Sequence, residues 1–121
     1  MTTVAGRRLL VVEDEYALAF DLAGWLESQG ADVLGPVASV ADALALLDED
    51  ALPDVAVLDI NLGSERVFPV ADALQAAGVP FVFLSGYDSR VFPQPYRNVP
   101  LCTKPVDNAQ LLRVLGTVLA A

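Results

Sequence analysis

Val55-Ala56-Val57-Leu58 is an unbroken apolar run that closes on Asp59. It is too short for a stable helix, and without polar alternation it fits a strand covered on both faces, as in a parallel sheet. Leu9-Leu10-Val11-Val12 and Phe81-Val82-Phe83-Leu84 have the same build, while Asp32 to Val37 and Val99 to Thr103 are weaker strand candidates. Helical patterns fill the intervals. Leu18, Leu22, Trp25 and Leu26 share one face, with Gly30 as the stop. Ser39 suits the N-cap of a helix carrying Val40, Ala43, Leu44 and Leu47. Pro69 suits a first helical position, opening a helix that runs through Leu74 to Ala77 and ends at Gly78. Asp107 caps a last helix with Leu111, Leu112, Leu115 and Leu119 on its face. Pro93, Pro95 and Pro100 forbid a normal helix over most of Ser85 to Pro100, so a short or distorted turn is expected where a fourth crossover helix would stand. The order βαβαβαβ(short α)βα reads as an α/β doubly wound parallel sheet.

Composition narrows the function. The 121 residues suit one domain, and 55% of them are apolar, which argues against disorder. Seven Lys+Arg against 16 Asp+Glu give a net charge of −9, the wrong sign for a nucleic-acid surface. No apolar run is long enough for a membrane helix, and Met1 to Arg8 lack the apolar core of a secretory signal. Cys102 is the single cysteine and histidine is absent, which removes an internal disulfide, a zinc site and Ser-His-Asp or Cys-His catalysis. A reducing compartment such as the cytoplasm is expected. Carboxylates, hydroxyls and a few cations are left to do chemistry.

Ligands of such sheets bind outside the carboxyl ends of the strands. Read at those ends, the chain offers Glu13-Asp14-Glu15, then Asp59, then Ser85-Gly86, then Thr103-Lys104-Pro105. Crowded carboxylates repel and call for a cation. Lys104 supplies one charge, and Mg²⁺, which takes carboxylates, waters and a phosphate oxygen, suits the rest. An Asp in that setting can attack phosphorus and form an aspartyl phosphate. With Lys104 taken as solvent-reachable, its ion pairing is expected to contribute only about 0–1 kcal/mol to stability.

Val11-Val12-Glu13-Asp14-Glu15, Leu58-Asp59-Ile60-Asn61-Leu62, Ser85-Gly86 and Lys104-Pro105 together resemble the signature of two-component response-regulator receiver domains, in the right order across nearly the whole chain. The resemblance implies a flavodoxin-like five-stranded sheet in the order 2-1-3-4-5. It implies that Asp59 is the phosphoacceptor, and that Asp14 and Asp59 ligate Mg²⁺ directly with the Asn61 main-chain carbonyl, Glu13 acting through water. Ser85 matches the switch hydroxyl, Lys104 the phosphate-binding lysine, and Lys104-Pro105 the family's cis bond. A histidine kinase or phosphotransfer protein would be the donor and a downstream protein the target, in a bacterial cytoplasm, with neither nucleic acid nor membrane involved. Only self-catalysed phosphotransfer and autodephosphorylation are implied, and residues 1–121 read as one receiver domain without an output domain. The family often carries an aromatic switch residue where this chain has Leu101. Phe81-Val82-Phe83-Leu84-Ser85-Gly86-Tyr87 with its proline-rich continuation is similar to the atypical, often stand-alone subgroup nicknamed FAT GUY. There Tyr87 would be the aromatic lever, and the loop from Gly86 to Pro100 would report phosphorylation.

Two other classes stay open. An aspartyl-nucleophile phosphohydrolase of the haloacid-dehalogenase type would need an acid/base Asp where Asn61 stands. A phosphorylation-independent interaction module would have no use for Glu13, Asp14, Asp59 and Lys104 together. The remaining candidates read as structural. Glu15 fits a helix cap or a solvated carboxylate, Trp25 and Cys102 core positions, and Tyr96 packing against the sheet edge.

Overall fold

The structure, a computed structural model, describes residues 3–49, 52–86, 96 and 98–120. Its elements follow in the order β1 (Arg8–Val12), α1 (Tyr16–Ser28), β2 (Asp32–Val37), α2 (Val40–Glu49), β3 (Val55–Asp59), β4 (Asn61–Leu62), β5 (Glu65–Arg66), α3 (Phe68–Ala76), β6 (Phe81–Ser85), β7 (Leu101–Thr103) and α4 (Asn108–Ala120). Five of the strands form a sheet in the order β2-β1-β3-β6-β7, every neighbouring pair parallel. Counted within that sheet alone, this is the flavodoxin-like 2-1-3-4-5 arrangement expected from the sequence.

The continuous apolar strands are buried on both faces, as their composition requires. Leu10, Val12, Ala56, Leu58, Phe81 and Phe83 turn toward α2 and α3. Leu9, Val11, Val57, Val82 and Leu84 turn toward α1 and α4, where Leu22, Leu26, Leu111 and Leu115 meet them. Cys102 lies in the second layer, and burial pushes its thiol up, so it serves as a small hydrophobe. Trp25 packs partly buried against the same layer.

Local chemistry fixes the helix ends. Ser39 Oγ accepts the Asp42 N–H at 3.1 Å and Asp107 Oδ1 accepts the Gln110 N–H at 3.1 Å, each satisfying a donor the first turn leaves orphaned. Pro69 occupies the first turn of α3, and Gly30 and Gly78 follow α1 and α3 with φ of +93° and +74°. Among the described residues no helix is long and apolar enough to cross a membrane.

Three features depart from the sequence reading. β4 and β5 make a small antiparallel hairpin directly after Asp59, too short to leave a periodic signal. β7 begins at Leu101 rather than Val99. In β2 the pairing slips between Leu10 and Val12. There Gly35 has φ +91°, and a Cβ would stand 2.8 Å from the Val37 nitrogen and 3.0 Å from the Val11 carbonyl oxygen. Glycine is therefore required at that bulge. The Gly35–Pro36 and Lys104–Pro105 bonds are both cis.

The expected short or distorted fourth helix, with Pro93 and Pro95, lies outside the described residues. So do Tyr87 and most of the loop meant to move with it. Tyr96, which is described, packs against the sheet as expected and is buried there. Its ring stacks on Phe68 at 5.2 Å and meets Phe83 edge-on at 5.8 Å. Its hydroxyl donates to the Asp72 carboxylate and lies 3.3 Å from the Phe68 carbonyl oxygen.

Candidate functional site

Parallel strands bring their carboxyl ends to one edge, and backbone bonds lock the register there. Asp59 pairs with Leu84, and Ser85 with Thr103. The Glu13 N–H donates to Val37, the Ile60 N–H to Leu84 and the Lys104 N–H to Ser85, at 2.9, 3.0 and 2.8 Å. Glu13 follows β1, Asp59 and Ser85 end β3 and β6, and Lys104 follows β7. Residues distant in sequence thus meet because each stands at the same level of the sheet.

The side chains converge around one ammonium. Lys104 Nζ lies 2.9 Å from Glu13 Oε1 and 3.1 Å from Asp59 Oδ2. Glu13 Oε2 accepts the Glu15 N–H at 3.1 Å, and Asp59 Oδ1 accepts the Asn61 N–H at 3.3 Å. Asp14 is exposed beside them, and carboxylate oxygens of Glu13, Asp14 and Asp59 all lie within 4.8 Å of one another. The turn of the β4–β5 hairpin borders the cluster, since a Cβ at Gly63 would stand 3.8 Å from Asp14 Oδ2. Ser85 is buried at the end of β6.

One expectation holds for only one side of the pair. Lys104 keeps contact with solvent, whereas the carboxylates it bridges do not. The exposed fractions of the side chains are 19% for Lys104, 0% for Glu13 and 4% for Asp59. The long apolar stem lets lysine carry its charge inward, and the energetics become those of a buried pair, where losing one partner strands the other.

Electrostatics follow from that depth. Burial lifts the Glu13 carboxyl from 4.5 to about 7, the Asp59 carboxylate adding to the rise. Lys104 and the Glu15 N–H pull it down without cancelling the effect. For Lys104, burial works against the charged form, but Glu13 and Asp59 outweigh it and hold the ammonium above its ordinary range. The donor set is oxygen only, held close and mostly dry, which suits a hard cation such as Mg²⁺.

The other candidates separate cleanly. Glu15 is the N-cap residue of α1, yet its side chain makes no capping bond. It lines a hollow of about 540 Å³ with Leu18, Asp21, Gly86, Lys104 and Val106, so the site opens between α1 and the segment after β7. Leu101 packs partly buried against the aromatic layer that holds Tyr96. Sequence reasoning missed the Tyr96–Asp72 contact, and no local signal links residues 24 positions apart.

Comparison with known proteins gives a consistent set of likenesses, although no protein-family model matches the chain. It is 30% identical over 117 residues to the phyllosphere-induced regulator PhyR of Methylorubrum extorquens, covering 92% of this chain and 43% of that protein. The chain thus spans less than half of that regulator. The solution structure of SdrG from Sphingomonas melonis Fr1 is 34% identical with a TM-score of 0.81, and the match covers 100% of both chains. The BeF3-activated conformation of SdrG, from Pseudomonas melonis Fr1, is 37% identical with a TM-score of 0.76, covering 93% of this chain and 98% of that one. A CheY-like response regulator receiver domain from Methylobacillus flagellatus is 26% identical with a TM-score of 0.77, covering 93% of this chain and 98% of that one.

Proposed function

This chain belongs to the family of response-regulator receiver domains, signalling modules of two-component systems, and from that premise we propose that Asp59 accepts a phosphoryl group from the phosphohistidine of a histidine kinase or phosphotransfer protein. The observation that carries the proposal is the buried Asp59 carboxylate held 3.1 Å from Lys104 Nζ inside a cluster of acids.

In the step itself an Asp59 oxygen attacks phosphorus, and the P–N bond to the donor imidazole breaks. The leaving nitrogen keeps the electron pair as the acyl phosphate forms. Lys104, already beside both carboxylates, neutralises charge on the transferring oxygens. Asp14 and Asp59, with the Asn61 main-chain carbonyl and with Glu13 acting through water, would hold Mg²⁺, which supplies further neutralisation of phosphoryl charge when bound. Ser85, one strand over, would bond the acyl phosphate. The loop from Gly86 to Pro100, Tyr87 within it, would carry the change to a downstream protein partner. Membership of the FAT GUY-like stand-alone subgroup and a cytoplasmic setting are parts of the same proposal. A hydrolase reading gains nothing, because Asn61 offers an amide where an acid/base carboxyl is needed.

Intact-mass analysis after acetyl phosphate and Mg²⁺ treatment tests the assignment. One added phosphate is expected in the wild type and none in Asp59→Asn; a phosphorylated variant overturns it. Transfer from candidate histidine kinases charged with labelled ATP then tests the donor class.

A further inference from the structure

Tyr16 and Phe20 are 78% and 63% exposed, and their ring centroids lie 5.8 Å apart. Four residues apart, they share one face of α1. A lone exposed apolar side chain needs no explanation, but paired aromatics beside further apolar surface mark an interaction site. Two shallow hollows flank Phe20, of about 110 and 130 Å³, and Phe20 and Pro36 line both. The first also has Tyr16 and Val37 in its lining, and the second Ala23 and Val33. Together they form a groove between α1 and β2 with an aromatic ridge. Glycines 24 and 35 also line it, and at Gly24 a Cβ would meet nothing within 4 Å.

Charge decides what can lie there. The two hollows are lined by no Lys or Arg, and of their three carboxylates Glu13 is buried against Lys104, which leaves Asp14 and Glu27 exposed. A second copy of a chain with net charge −9 would set acid against acid. We propose that this groove docks a partner protein through a basic amphipathic helix. The partner's aliphatic or aromatic side chains would lie against Tyr16, Phe20 and Pro36, with Lys or Arg beside Asp14 and Glu27. A side-chain ridge set into a groove beside α1 is the ordinary geometry of helix packing, and large aromatics are the usual energetic anchors of interfaces. The surface lies on a different flank of α1 from the hollow that reaches Lys104, which Leu18 and Asp21 line. It goes beyond the phosphoacceptor assignment, although it borders that site through Glu13 and Asp14.

The probe is a synthetic peptide of about 18 residues, long enough to hold a helix, with Leu and Phe on one face and Lys on the other. Its scrambled isomer and a Glu-for-Lys version serve as controls. Titrated into the full chain, the peptide is expected to shift amide resonances of residues 16–24 and 33–38. Binding should weaken about tenfold or more in Phe20→Ser, with both controls equally weak. Tyr16→Ser provides a second variant, and an unchanged melting midpoint shows that the fold is intact. Equal binding by the variants, equal binding by the scrambled peptide, or shifts confined to Leu18, Val106 and their neighbours overturns the proposal. So does concentration-dependent dimerisation of the wild type that Phe20→Ser abolishes, because the occupant would then be a second copy. Phosphate uptake by Phe20→Ser matching the wild type keeps this test separate from that of Asp59.

Discussion

Among the described residues, polar side chains meet in two places against this sheet, and they meet on opposite terms. At the carboxyl end, two nearly inaccessible carboxylates share a single ammonium, and a third carboxylate stands beside them. Behind β6, the Tyr96 hydroxyl, an uncharged donor, reaches the carboxylate of Asp72 while its ring is locked among Phe68, Phe81 and Phe83. The first group is short of positive charge, so its balance changes whenever a proton, a cation or a phosphoryl group arrives. The second is satisfied as it stands. Crowding like charges makes a place responsive, whereas pairing a neutral donor with an acceptor at its edge makes a place stay put.

Removing the shared cation is the most severe way to break this contrast. Lys104→Ala in metal-free buffer at pH 8 should cost about 3 kcal/mol, because two buried carboxylates lose their partner. At pH 5 the loss should shrink, since Glu13 with its pKa near 7 takes up a proton and relieves the repulsion. Urea denaturation at the two pH values measures both, and a loss independent of pH would show that the triad is not electrostatically strained. Tyr96→Phe keeps the ring and removes the hydroxyl. Its cost should be about 1.5 kcal/mol, the value of a hydrogen bond to a charged group. Urea denaturation at neutral pH checks the value, and a cost near zero would show that the hydroxyl adds nothing to the aromatic packing.

The wild type itself sharpens the comparison. Glu13 has its folded pKa raised from 4.5 to about 7, so the folded state binds the extra proton in that window. The resulting stabilisation is full below 4.5 and is lost as pH rises through 7. Melting midpoints recorded with a chelator should therefore carry a falling component across that range, and Glu13→Gln should remove it. The smallest effect belongs outside both places. Phe20→Ser should change stability by less than about 0.5 kcal/mol, as exposed substitutions do. A larger loss would mean that the aromatic pair on α1 supports the fold instead of facing a partner.

What the sequence could and could not disclose follows from range. The runs at Leu9, Val55 and Phe81 announce buried strands because each residue alone reports its environment. A parallel sheet then forces Glu13, Asp59, Ser85 and Lys104 to one edge. Ser39, Asp107 and Pro69 work within a single turn, so their roles were equally legible. Depth was not. Nothing beside Lys104 says that its ammonium meets two buried carboxylates, because the depth of Glu13 and Asp59 depends on the folded chain. The β4–β5 hairpin and the slip at Gly35 involve too few residues to set a period. Tyr96 and Asp72 meet only through the folded chain.

The two margins of the sheet carry one more consequence. Along β2 the ladder slips beside Gly35, and Pro36 has no amide hydrogen to offer. At the other margin β7 is only three residues long. An open sheet invites further strands wherever it presents a long, regular row of unpaired donors and acceptors, and among the described residues neither margin offers one. A second copy brought edge-on to these two strands would find no long ladder of described residues to extend.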